Sequence, residues 1–228
     1  MDRILSMIQI VVPLITVTVA VLGIILSAKT FSLTAKEKAA QRKMAQSDRF
    51  ARAIDHLKDE SIHIRMGALY ELQRIGLEDP KEQVSIVRIL SRYVRDRIED
   101  RKYLHPSRFY EEKVRPSEDV TLASEITSLF DAPTNWLQLH YLKADCVDLG
   151  IFQLQHAEFY DAQLREAAFP HANLLGTIFR GANLKGADLR KAINLTASQL
   201  LDAIVDDTTL LDPDLRAEYD RLKAERGG

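Results

Sequence analysis

From Leu149 to Leu189 a large apolar residue stands at every fifth position: Leu149, Leu154, Phe159, Leu164, Phe169, Leu174, Phe179, Leu184 and Leu189. Two positions ahead of most of them sits an alanine, Ala157, Ala162, Ala167, Ala172, Ala182 or Ala187, with Thr177 as a small substitute. A helix repeats about every 3.6 residues and a strand about every 2.0, so neither keeps these side chains on one face. A fixed short period of this kind marks a solenoid, in which each unit buries its apolar residue against the units before and after it.

The segments HAEFY, DAQLR, EAAFP, HANLL, GANLK and GADLR resemble the pentapeptide-repeat family, whose loose consensus is A-D/N-L-x-x. The resemblance implies a right-handed quadrilateral β-helix with four pentapeptides per coil, and therefore stacking ladders at a spacing of twenty residues. One side then stacks Leu139, Phe159 and Phe179; the next Ala144, Leu164 and Leu184; the third Leu149, Phe169 and Leu189; the fourth Leu154 and Leu174, ended by Asn194. Leu137, Leu142, Val147 and Phe152 take the small-residue positions of the first coil, which makes it fatter and marks it as a cap. About three coils result, over 137–195, near the minimum for such an array. Beyond them Thr196 is an N-cap ahead of Leu200, Leu201 and Ile204, and Pro213 opens a charged helix carrying Leu215, Tyr219 and Leu222, so 196–228 is expected to be a pair of capping helices.

At the other end, Ile4 to Ala28 is twenty-five residues without a charge. As a helix it reaches about 37 Å, against a hydrocarbon core of about 30 Å. Residues 1–28 are therefore expected to be a transmembrane anchor; the stretch is far longer than the apolar core of a cleaved signal peptide, the rival reading. Lys29, Lys36, Lys38, Arg42 and Lys43 follow it and only Arg3 precedes it, which places the amino terminus outside and the bulk in the cytoplasm of a single-pass inner-membrane protein. Ser6, Gln9, Pro13, Thr16, Ala20, Gly23 and Ser27 form one stripe of small and polar residues. Such a stripe suits close helix packing and hence a homo-oligomer, while a lone anchor remains the open alternative.

Without Gly or Pro between Ile24 and Met66, the helix is expected to run on as a stalk over 29–60. Ile62, Met66, Leu69, Leu72 and Ile75, then Val84, Val87, Leu90, Val94 and Ile98 after an Asp79-Pro80 start, read as a small antiparallel helical module over 61–99. The stretch from Ile64 to Ile75, with Asp79-Pro80 and Val84 to Arg95, is similar to the helical module that precedes pentapeptide repeats in many bacterial membrane proteins, and Pro116 to Val120 is similar to its connecting helix. Asp100 to Arg115, rich in charge and holding two prolines, reads as a linker, within a linker and connecting-helix segment over 100–136.

The chain offers no phosphate loop, nucleophile elbow or H-E-x-x-H motif, and no cofactor or catalytic residue is expected. His140, Cys146, His156 and His171 fall on different sides of the expected coil and cannot meet on one metal ion. The family's DNA-mimic, gyrase-binding role calls for a sustained negative field, but over 137–195 six acids meet six bases, and no nucleic-acid partner is expected. The reading that follows is a non-enzymatic, membrane-anchored scaffold that offers a coil surface to a protein partner, with Tyr160, Arg165, Arg180, Lys185 and Arg190 as candidate contacts. The alternative is a membrane effector or stress sensor acting through oligomerisation of its spanning helix.

Overall fold

A computed structural model describes residues 2–106, 113–130, 137–150 and 152–227, with side chains, position 106 aside, from residue 22 onward. The chain divides into two compact units, Met1–Ala51 and Arg52–Gly228.

The first unit is helix α1, Asp2–His56, which ends inside the second. Residues 22–45 are exposed throughout, Leu22, Ile24, Ile25, Leu26 and Phe31 included. The Thr34 hydroxyl donates back to the Thr30 carbonyl (2.9 Å), a local bond that frees a polar side chain from any need of a partner. Among the described residues no helix is long and apolar enough to cross a membrane. Most of the expected span, with Gln9, Pro13, Thr16 and Ala20, lies outside the residues whose side chains are described; Gly23 and Ser27 are exposed.

In the second unit α2 (Ile62–Glu78), α3 (Gln83–Glu99) and α4 (Glu118–Leu129) pack together. Leu69, Leu72 and Ile75 meet Ile86, Leu90, Val94 and Ile98, with Val120, Ala123 and Ile126 closing the core. Gly76 is small because the ring of Phe130 lies on it: a Cβ there would fall 2.4 Å from Phe130 Cζ. Asp79 caps a single 3-10 turn, Pro80–Glu82, rather than α3 itself, since its side chain accepts from Lys81 N–H.

The stretch expected to be a linker is ordered where it is described. A 3-10 turn, Arg101–Tyr103, leads into β1 (Leu104–Pro106), which pairs antiparallel with β2 (Val114–Pro116). Val114 then forms a parallel bridge with Val147 of the coil. Charge misled the sequence reading because Arg101 and Lys102 stay exposed beside the ribbon, while its backbone pairs and Arg115 is half-buried.

From Gln138 onward the chain winds in a coil whose successive turns pair in parallel at a spacing of twenty residues: Gln138 with Glu158 and Glu158 with Ile178, Lys143 with Gln163 and Gln163 with Asn183. The other two faces carry Asp148, Ala168 and Asp188, and Gln153, Asn173 and Ile193. Each face contributes one bridged residue instead of a strand, because the corner consumes the rest of the pentapeptide. Leu149, Leu154, Phe159, Leu164, Phe169, Leu174, Phe179, Leu184 and Leu189 all point inward and are buried. Phe159 stacks on Phe179 (centroids 5.5 Å apart, planes 12° apart), and Phe169 meets both edge-on at 6.4 and 6.2 Å. Leu137, Leu142, Val147 and Phe152 fill the axis of the first coil.

Two helices lie beyond the repeats, with a further stretch of coil between them. Helix α5 is only Ala197–Leu200, and Ile204 lies beyond it. The coil resumes instead: Ile204 bridges Asn183 and Leu210 bridges Asp188, at spacings of 21 and 22 residues. The short helix stands in for one face, and the extra residues absorb the lengthened spacing. Helix α6, Pro213–Gly227, follows with Tyr219 buried.

Candidate interaction surface

Corners generate the surface. After each inward Leu or Phe two residues turn the chain, and the N–H of the next small residue closes the turn, as Ala162 N–H does on Phe159 O (3.2 Å). The second corner residue has positive φ at Asp161, Glu166 and His171, and again at Gly176, Gly181 and Gly186, the sign pattern of a type II turn. At Gly181 (φ +70) a Cβ would lie 2.0 Å from Asp161 Oδ1, so the missing side chain serves both the backbone angle and the column.

The coil's outward side is thus four corner columns separated by bridged residues. His140, Tyr160 and Arg180 share one corner, and Asp145, Arg165 and Lys185 the next. Tyr160 lies edge-on to His140 (4.9 Å), whose Nε2 meets Glu158 Oε2 at 2.6 Å. Arg165 is clamped on Asp145 (2.9 Å) and Arg190 on Asp188 (2.8 Å). Among the described residues Arg180 and Lys185 make no side-chain hydrogen bond or ion pair, though the Lys185 charge helps to hold the Asp206 carboxyl below its usual range, after the bond from Thr208. The two cations stand at the two corners flanking the face of Gln163, Asn183 and Ile204, the last 47% exposed.

Cys146 (φ 62), His156 (φ 58) and His171 (φ 64) each occupy the positive-φ position of a different corner, with His140 on the remaining one. Among the described residues no group of three or more His, Cys, Asp or Glu is placed to hold a metal ion.

Both ends of the coil are closed by identifiable groups. At the first coil the backbone N–H groups of Gln138, Lys143 and Asp148 have no coil beneath them; they donate to Ser91 Oγ (2.9 Å), Glu99 Oε1 (3.1 Å) and Val114 O (2.7 Å). Arg95 Nη2 adds a bond to Gln138 O (3.0 Å). At the other end Gln199 Nε2 donates to both Leu174 O and Thr177 O (2.8 Å each), and the Thr196–Gln199 capping box fixes that side chain. The sequence carried the signal for the extra units in Ala203-Ile204-Val205 and Thr209-Leu210-Leu211, which repeat the small–x–large order out of phase.

Behind the coil the helices enclose a polar cluster. Asp119 is fully buried and takes Arg65 Nε on Oδ2 (2.5 Å), with the Tyr93 and Ser117 hydroxyls also donating to its carboxylate. Burial works to lift this acid, but the bonds from Arg65, Ser117 and Tyr93 and the Arg65 charge outweigh it and hold the carboxyl below its usual range. Burial, and then the bond to Asp119, push the Tyr93 phenol well above its ordinary value. Arg97 lies flat on the Tyr103 ring (3.6 Å) and donates to Leu57 O (2.9 Å). The signal for Arg65 was a charge on the face of α2 that also carries Ala68, Leu69 and Leu72.

Residues 157–193 match the family model for pentapeptide repeats, in eight copies. The coil extends beyond that match in both directions, from Gln138 to Leu210, and the match does not reach the helical module. No curated protein matches the chain.

Proposed function

We propose that the chain is a membrane-anchored, non-enzymatic protein that holds its pentapeptide-repeat coil in the cytoplasm as a docking scaffold, and that the face between Arg180 and Lys185 receives an acidic surface of a protein partner. The observation that carries this reading is the pair Arg180 and Lys185, which among the described residues form no ion pair, on a face whose neighbouring cations, Arg165 and Arg190, are each held by an aspartate. Gln163 and Asn183 supply amides between them, and Ile204 an apolar contact, the mixture typical of a protein interface. Support for the anchor is the uncharged stretch Ile4–Ala28 and its basic flank.

The test is affinity capture of the full, detergent-solubilised chain. Reversal of both charges, Arg180→Glu with Lys185→Glu, is expected to abolish recovery of a partner that the wild-type chain retains; equal recovery excludes this face. Extraction by alkaline carbonate instead of detergent would exclude the anchor. The small-residue stripe favours the second reading, an effector that acts by oligomerising its spanning helix. There, cysteines at Ala20 crosslink well and those at Val21 poorly, and induced expression collapses a membrane-potential dye signal.

A further inference from the structure

A cavity of ≈ 410 Å³ lies between the end of α1, α3 and the 3-10 turn that follows α3, walled by Ile54, Leu57, Ile89, Tyr93 and Tyr103. Its volume falls within the range of small-molecule sites, about 300–1,000 Å³. Arg97 is also on the lining, and it is 6% exposed. Its guanidinium is stacked on the Tyr103 ring (3.6 Å) and lies 5.0 Å from the centroid of Tyr93. The N–H groups of a guanidinium lie in its plane, so an acceptor has to approach along the edge. One edge position is taken, since Nη2 donates to Leu57 O (2.9 Å) just past the end of α1. Nη1 is buried and has no hydrogen-bond acceptor. Among the described residues Arg97 has no carboxylate partner either, whereas the similarly buried Arg65 has Asp119. A buried charge is costly unless it is both paired and hydrogen-bonded, which leaves Arg97 short of an anion as well as an acceptor.

We propose that this cavity binds a small organic monocarboxylate, with the carboxylate on Arg97 Nη1 and the hydrocarbon part against Ile54, Leu57 and Ile89. The charges on the rim set the count. Asp96 is held by Arg92 (2.8 Å), Asp100 lies 3.6 Å from Lys102 Nζ, and Lys58 is held by Asp55 (3.0 Å), so of the lining cations Arg97 alone is left without a counter-charge. One negative charge completes the site, and a second would face Asp96 and Asp100 with no free cation to offset it. A carboxylate therefore fits better than a phosphate monoester, which carries about two charges near neutrality. A water molecule could accept from Nη1, but it would neither neutralise the guanidinium nor cover the apolar walls. None of the lining residues belongs to the coil, so failure here leaves the scaffold reading untouched.

Calorimetric titration of the full chain in detergent, with empty micelles as the blank, tests it with hexanoate, its neutral isostere hexanamide and the dianion adipate as separate probes. Saturable binding of hexanoate is expected, with hexanamide about tenfold weaker or more for want of one charge-assisted hydrogen bond, and adipate weaker too. Ile89→Trp fills the half-buried wall of the cavity and leaves Arg97 in place; with an unchanged circular dichroism spectrum it is expected to abolish binding. Arg97→Gln is expected to erase the preference for hexanoate over hexanamide. Should that variant fail to fold, Ile89→Trp and the isostere comparison still decide. Absence of saturable hexanoate binding, hexanamide bound as tightly as hexanoate, or hexanoate affinity undiminished by Ile89→Trp would overturn the proposal, and adipate bound as tightly as hexanoate would overturn the count of one charge.

Discussion

In the coil, the large side chains on the axis are apolar and their places follow from counting in fives; in the α2–α3–α4 packing, an arginine, a carboxylate and a phenol share the interior with the leucines and isoleucines. The first core is held by stacking and by coil-to-coil backbone bonds such as Leu139 N–H to Glu158 O and Glu158 N–H to Leu137 O. The second depends on one ion pair being complete. A periodic core tolerates repetition, whereas a core built round a buried charge fixes one arrangement of helices and penalises loss of either partner.

The largest effects are expected from the centre of each region. Phe169→Ala removes the ring that touches both Phe159 and Phe179 and is expected to cost about 3–5 kcal/mol in urea unfolding, independent of pH. Asp119→Ala leaves Arg65 buried without its partner and costs a similar amount, about 3–5 kcal/mol near neutrality. The two part company in acid. Because the folded Asp119 carboxyl is held below its unfolded value, about 3.9, its contribution is complete above that value and disappears as pH falls through the folded one. The difference in stability between the wild-type chain and Asp119→Asn is therefore expected to be constant above about pH 5 and to shrink below pH 4; a constant difference down to pH 2 would remove the ion pair from the account.

A smaller effect separates the coil's corners from its axis. Gly181→Ala places a Cβ at φ +70 and is expected to cost about 1–2 kcal/mol, mostly backbone strain, since the facing Asp161 carboxylate can rotate away. The same change at Gly67 in α2, where a Cβ meets nothing within 4 Å, is expected to stabilise by up to about 1 kcal/mol. Thermal unfolding of the two variants reads both signs.

How much of this was visible in the residues follows the same division. Leu149 to Leu189 declared the coil because each position repeats one instruction, and a bridge at twenty residues follows from four such units per turn. The first coil was legible as a cap from Leu137 and Phe152, but what it rests on was not: nothing local marks Ser91 as a hydroxyl that will accept a backbone N–H forty-seven residues away. Arg65 and Asp119 lie fifty-four residues apart, and a pairing at that range leaves no periodic trace. The stretch after Asn194 misled for a different reason. Thr196 and Gln199 do start a helix, but helical propensity gave way after one turn because Ala203 to Val205 and Thr209 to Leu211 find open bonding partners on the coil.

Ser91 is also where the comparison can be pressed hardest for a small change. Its hydroxyl, 3% exposed, takes the Gln138 N–H, and the first coil has no lower neighbour to supply another acceptor. Ser91→Ala is expected to cost about 1 kcal/mol, the net worth of one such bond. The pattern of the loss carries more than its size. If the helices serve as the coil's lower edge, removing one bond lowers hydrogen-exchange protection in α3 and in the coil together, because the Gln138 N–H loses its acceptor at the edge that Lys143 also anchors to α3, and the helices bury Leu90 and Val94 in the same unit. Loss of protection confined to residues 137–149, with α3 unchanged, would make the contact a docking of two independent folds and would divide the two cores in energy as well as in chemistry.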